Sequence, residues 1–132
     1  MGPLVLDASA LIDLLLAPRS PTPIVELVAS GAPLHVPAIC DVEVFAAVRS
    51  QVLARRLEDD LAREVIIDYV SLPIARHLHL RLLGRMYELR QNFSAADAGY
   101  VALAESLDAS LVTTDAALKR AVKRHTEMAC LP

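Results

Sequence analysis

Three short apolar runs, each leading directly into a stretch with helical spacing, constrain this chain more than any other feature. Leu4-Val5-Leu6 precedes Ala8 to Ala17, Leu34-His35-Val36 precedes Ala38 to about Arg56, and Ser110 to Thr113 precedes Ala116 to about Arg124. Strands that alternate with helices pair in parallel, because the chain must cross back over the sheet before it can run in the same direction again. The strand cores are apolar rather than alternating, as burial on both faces demands. The expected fold class is α/β, a single three-layer domain over residues 1–132 with a central parallel sheet flanked by helices.

The remaining elements follow from periodicity and punctuation. Pro18 stops the first helix, Arg19 to Pro23 reads as a loop, and Ile24 to Ser30 is a short helix closed by Gly31. Leu57 to Ile67 continues helical, and Val70-Ser71-Leu72 is a candidate strand ended by Pro73. Leu78, Leu82, Leu83, Met86 and Leu89 fall on one stripe, which predicts a long helix from Ile74 to about Arg90. Asn92-Phe93 breaks it, Ser94 opens the next helix to about Leu107, and Glu127 to Cys130 is a last strand.

Composition excludes several classes. Hydrophobic residues are 55% and charged ones 22%, too apolar and too weakly charged for disorder. No uninterrupted apolar run exceeds five residues (Val44 to Val48, Tyr100 to Ala104), far below the ~20 that span a bilayer. No basic region followed by an apolar stretch opens the chain, so a cytoplasmic globule without membrane contact is expected. The net charge of −3 rules out a strongly basic surface as the source of affinity, though clustered Lys and Arg still permit a nucleic-acid partner. Cys40 and Cys130 stand apart among apolar neighbours and read as two buried thiols. A mean hydropathy of +0.42 is what two covered sheet faces require, and it also suits apolar partner surfaces.

The acids carry the chemical signal. Asp7 ends the first strand and Asp115 ends the Leu111-Val112-Thr113 strand, each just before a helix. Asp97 lies in the first turn after Ser94, and Glu43 lies early in the helix after the second strand. Each has a structural explanation. Asp7 and Asp115 suit helix N-caps, and Ser94 with Asp97 has capping-box spacing. Glu43, between Val42 and Val44, fits this least, because an unpaired carboxylate in a buried stretch is costly. Taken together, the four acids lie near strand-to-helix junctions or helix N-termini, and Asp7 and Asp115 fall at the carboxyl ends of strands, where open parallel sheets bind ligands. Carboxylates sharing one cleft repel each other unless a hard divalent cation such as Mg²⁺ or Mn²⁺ joins them. With no His/Cys ligand set, that pattern points to metal-dependent phosphodiester chemistry.

Four blocks, Leu4 to Leu11, Asp41 to Val44, Ser94 to Glu105 and Leu111 to Asp115, resemble in order those of PIN-domain proteins, and most nearly the VapC toxins of bacterial toxin–antitoxin pairs. The resemblance covers essentially the whole chain. It implies a PIN-like domain and a Mg²⁺- or Mn²⁺-dependent endoribonuclease, with Asp7, Glu43, Asp97 and Asp115 as catalytic metal-site acids and Asp7 and Asp97 foremost as ligands. Ser9 and Thr113 match small hydroxyl positions that support the acids, although cap or turn chemistry explains them equally. The implied reaction is in-line attack on phosphorus by an activated water, leaving a 5′-phosphate and a 3′-hydroxyl. A homodimer and a cognate VapB-like antitoxin are the implied partners besides RNA. Where many relatives carry an aromatic before the third acid, this chain has Ala96, so substrate contacts there are expected to differ.

Other residues are read more plainly. Asp41 is expected to be an N-terminal helix acid and Asp13 to face solvent. His35, His77, His79 and His125 look scattered, with His77 and His79 facing apart on a helix. Arg81 and Arg85 would share a helix face, Lys119, Arg120, Lys123 and Arg124 lie after Asp115, and Arg90 is the foremost RNA-binding candidate because it precedes Asp97 closely. The rival readings are a non-catalytic PIN-like scaffold for RNA or protein, a metal-dependent DNA nuclease, and an aspartyl-phosphate enzyme using Asp7. The last wants a second Asp where Ser9 stands.

Overall fold

The computed structural model describes residues 2–16 and 22–132. Five parallel strands, β1 (Leu4–Leu6), β2 (Leu34–Pro37), β3 (Ile74–His77), β4 (Ser110–Val112) and β5 (Cys130–Leu131), form one sheet in the order β3-β2-β1-β4-β5. Leu4 pairs with Leu34 on one side and with Ser110 on the other. All three residues of β1 are fully buried, so both faces of the central strand are covered. The α/β expectation and the single parallel sheet hold.

Seven helices connect the strands among the described residues: α1 (Ala8–Leu15), α2 (Pro23–Ala29), α3 (Ile39–Leu53), α4 (Asp59–Ser71), α5 (Leu83–Glu88), α6 (Ala95–Ser106) and α7 (Ala116–His125). Helix α6 packs across β1, β2 and β4 with α5 against it, while α1, α3 and α4 pack on one another. A second small core of Val48, Ala62 and Val65 joins α3 to α4. Thr22 caps α2 and Pro23 opens it, the position where a missing N–H costs nothing. Gly31 follows α2 with φ +81°, a left-handed conformation that glycine adopts freely. The expected stop at Pro18, with Ala17 and the loop from Arg19 through Pro21, falls outside the described residues.

The stretch 57–90 departs from the sequence reading. Val70-Ser71-Leu72 is not a strand, since Val70 and Ser71 form the last turn of α4. Its β-branched run is carried by tertiary packing, with Ala62, Val65 and Tyr69 buried at helical spacing. Ile74 to Arg90 is not one helix. Ile74–His77 pairs residue by residue with Leu34–Pro37 as the edge strand, a 3-10 turn covers Leu80–Leu82, and α5 is only six residues long. Pairing to β2 overrides the leucine period, and of the stripe only Leu82 and Leu89 are buried. The last strand begins later than expected, at Cys130.

Candidate active site

Strand order reverses between β1 and β4, the place where open α/β sheets bind ligands. Asp7 leaves β1 there and caps α1. Its Oδ1 accepts from the Ala10 amide at 2.9 Å and from the Ser9 hydroxyl at 2.7 Å. Its Oδ2 accepts from the Thr113 hydroxyl at the end of β4. Asp7 is only 6% exposed and Thr113 is fully buried. Three donors on two oxygens leave one lone-pair direction on Oδ2 open, so the carboxylate is held rigidly with one position to offer. The two hydroxyls stand 3.1 Å apart, and each also accepts a backbone amide, Ser9 from Thr114 and Thr113 from Asp115. One network thus ties both strand ends together.

Asp115 caps α7 through Oδ1, which accepts from the Ala117 and Leu118 amides. Asp97 lies in the first turn of α6, where its amide donates to the Ser94 hydroxyl at 3.2 Å. Glu43 is half-buried on α3, and its Oε1 accepts from the Tyr100 hydroxyl at 2.6 Å. The capping explanation holds for Asp7 and Asp115. Tyr100 was not singled out from the sequence. The signal was available, since a tyrosine inside the apolar run Tyr100 to Ala104 must find a buried partner for its hydroxyl.

Electrostatics shows that these acids share one neighbourhood. Burial pushes the Asp97 carboxyl above the ordinary Asp range, the Ser94 hydroxyl pulls it back, and the charges of Asp115, Asp7 and Glu43 push it up again. Each of the other three carboxylates thus lies near enough to Asp97 to raise its value. Among the described residues, no three acidic, histidine or cysteine side chains form a ready coordination shell. The donor set nonetheless suits Mg²⁺, a hard ion that keeps several waters and takes one or two carboxylates. The nearby Cys40 thiol is pushed up to about 11, mainly by burial, which leaves it inert as a soft ligand at neutral pH.

The PIN domain family model matches residues 4–124. Ribonuclease VapC12 of Mycobacterium tuberculosis is 37% identical over 128 residues, which span 95% of this chain and 96% of that protein. The chain belongs to the PIN-domain family, in its VapC branch. Solved structures agree on the fold. PAE2754 from Pyrobaculum aerophilum superposes with a TM-score of 0.74 at 20% identity, over 97% of this chain and 82% of that one. VapBC2 from Rickettsia felis, solved with a DNA fragment from its promoter, gives 0.69 at 15% identity, over 98% and 97%.

Elsewhere in this PIN domain several expectations change. Asp41 is indeed a first-turn acid of α3, but it is engaged, accepting from the Tyr69 hydroxyl at 2.6 Å and from Arg76 at 2.9 Å. Asp13 does not face solvent; it is half-buried, 3.4 Å from the Thr22 hydroxyl. His125, at the end of α7 beside Phe93, does stand apart, but the other three histidines are engaged around β2 and β3. His35 and His77 share a hydrogen bond of 2.9 Å across β2 and β3, and His79, in the turn after β3, accepts the Ile39 amide at 3.3 Å. Arg81 and Arg85 share no helix, and Arg85 is neutralised by Glu105 at 2.7 Å and by Glu88. Arg90 lies over the Tyr87 ring at 4.0 Å and donates to its carbonyl at 2.9 Å. Cys40 is buried, while Cys130 is only half-buried.

Proposed function

We propose that this chain is the toxin of a toxin–antitoxin pair and a Mg²⁺- or Mn²⁺-dependent endoribonuclease. One observation carries the reading: the hydrogen-bond network of Ser9 and Thr113 joins Asp7 to the Asp115 end of β4 at the switch point, while Tyr100 joins Glu43 on α3 to α6, the helix that carries Asp97. The relative VapC12 is named a ribonuclease, and a structural neighbour from Klebsiella pneumoniae is named a toxin–antitoxin complex, which supports a VapB-like antitoxin as the partner here.

Asp7 and Asp97 would hold the ion, with Glu43 and Asp115 beside them. Such an ion polarises a phosphate oxygen and makes water a nucleophile near neutral pH. The protein's own contribution is placement. Ser9, the Ala10 amide and Thr113 fix Asp7 in one orientation, and Tyr100 fixes Glu43. The acids repel a phosphodiester when no cation is bound, so cations of the chain must hold the substrate. Arg90 is proposed to contact an RNA phosphate, with Lys119, Arg120, Lys123 and Arg124 on α7 as an outer track. Among the described residues none of these five forms a salt bridge with a carboxylate.

The test is cleavage of total RNA by the purified chain with Mg²⁺ or Mn²⁺. Asp7→Asn and Asp97→Asn are each expected to lower the rate by more than about 100-fold, exceeding the loss typical of an outer-shell partner, with far-ultraviolet circular dichroism unchanged. Full activity of both variants at saturating Mn²⁺ refutes the metal reading. Arg90→Ala is expected to flatten the dependence of log affinity on log salt by about one contact.

A further inference from the structure

A cavity of about 360 Å³ is lined from the N-terminal ends of α3 and α6, the helices that carry Glu43 and Asp97. Ile39, His79, Leu83 and Met86 form one part of its wall, and Ala96 and Gly99 another. Ala96 immediately precedes Asp97, and Ile39 stands one turn before Glu43 on the same face of α3. The cavity therefore meets the acids along the α3 face that Ile39 shares with Glu43, since Ala96 and Asp97, as neighbours on α6, point about 100° apart. The size lies at the low end of small-molecule sites, enough for a ring system and too small for a helix about 10 Å across.

We propose that this cavity receives one unpaired RNA base next to the phosphodiester being cut and so decides which base flanks the cleavage point. The proposal rests on the ribonuclease reading and adds its specificity determinant. A base has two apolar faces and a polar edge, and proteins read it by stacking and by a few edge hydrogen bonds. The cavity supplies the first kind of contact. Its walls are apolar apart from His79, whose Nε2 already accepts the Ile39 amide at 3.3 Å and whose Cδ2 is the ring atom nearest Gly99. A base entering it would meet apolar side chains and the imidazole ring.

The opening depends on two small residues. A Cβ added at Gly99 would meet the Met86 methyl at 3.7 Å and His79 Cδ2 at 3.8 Å. Those are ordinary contact distances, so the methyl would narrow the space without displacing either neighbour. Ala96, with only a methyl group, also lines that space and leaves it open. With no Trp, two Phe and three Tyr in the chain, aromatic platforms for stacking are scarce, and a slot walled by Met86 and His79 does that work instead.

The experiment uses the purified full chain with Mn²⁺ and a pool of unstructured RNAs randomised around the cleavage point, with the new 5′ ends sequenced. The wild type is expected to prefer one base at one flanking position. Gly99→Ala and Ala96→Phe are expected to reduce that preference on the order of tenfold, the scale of a methyl-sized change in a binding pocket. Gly99→Ala guards against loss of fold, since alanine inside a helix is the more stable residue. A preference that survives in both folded variants overturns the proposal, and so does a wild type that cuts without preference. An Ala96→Phe variant that changes oligomeric size while keeping the preference overturns it too, assigning the cavity to a contact between copies. Absence of cleavage by the wild type instead removes the ribonuclease reading itself, and the base pocket with it.

Discussion

Thr113 is a fully buried hydroxyl that donates to Asp7 and accepts from the Asp115 amide. Replacement by valine keeps the shape and removes both bonds, so an amide and a carboxylate oxygen lose their partner together. Leaving buried polar groups unsatisfied costs about 1–3 kcal/mol each. Thr113→Val is therefore expected to lower stability by a few kcal/mol in urea unfolding and to lower RNA cleavage, because Asp7 loses a restraint. A variant with wild-type stability and rate would show that Asp7 is positioned by α1 alone. At this scale the sequence was informative about residues whose role is local. Asp7 and Asp115 sit at strand-to-helix junctions and Asp97 in the first turn of a helix, places that apolar runs and cap residues mark directly. Tyr100 and Glu43 were harder, because their bond joins residues 57 positions apart, and one chain's sequence carries no trace of that distance.

Elements were legible where local and tertiary preferences agree. Strands β1, β2 and β4 are apolar runs bounded by turn residues, and they reappear within a residue or so. Edge strand β3 was hidden, because Ile74-Ala75-Arg76-His77 has neither a buried run nor an alternating one, and its leucine-rich continuation imitates a helix. Its pairing with β2 places His35 and His77 in hydrogen-bond contact, with consequences for pH. Burial first, and then the charge of His77, lower the His35 value below the ordinary imidazole 6.5. The folded state thus favours neutral His35, and the unfolded chain binds the proton more readily. Stability from this group is complete above 6.5 and is lost as pH falls through the lower folded value. Thermal melts between pH 8 and 5 are expected to show the wild-type midpoint falling with acid more steeply than that of His35→Gln. Equal slopes would mean that the pair does not couple protonation to folding.

At the scale of the whole molecule, high apolar content meets a sheet that is already covered on both faces, and the excess appears on the surface. Leu78 and Leu80 are 81% and 80% exposed, and Tyr87 is 66% exposed. Together with Leu83 they follow the edge strand through the 3-10 turn into α5. Single exposed apolar residues need no explanation, but four within ten positions form a patch of the kind that marks partner surfaces. The segment also carries His79, Leu83 and Met86, which wall the cavity beside the acids. We propose that the patch joins two copies of the chain. Light scattering after size exclusion is expected to give twice the chain mass of 14.3 kDa. Leu80→Asp is expected to give the single mass with unchanged circular dichroism, because its side chain contributes little to the core. A wild type that remains single at tens of micromolar, or a Leu80→Asp variant that still pairs, would leave the patch to the antitoxin. The expected pairing of copies would then have to lie on another face.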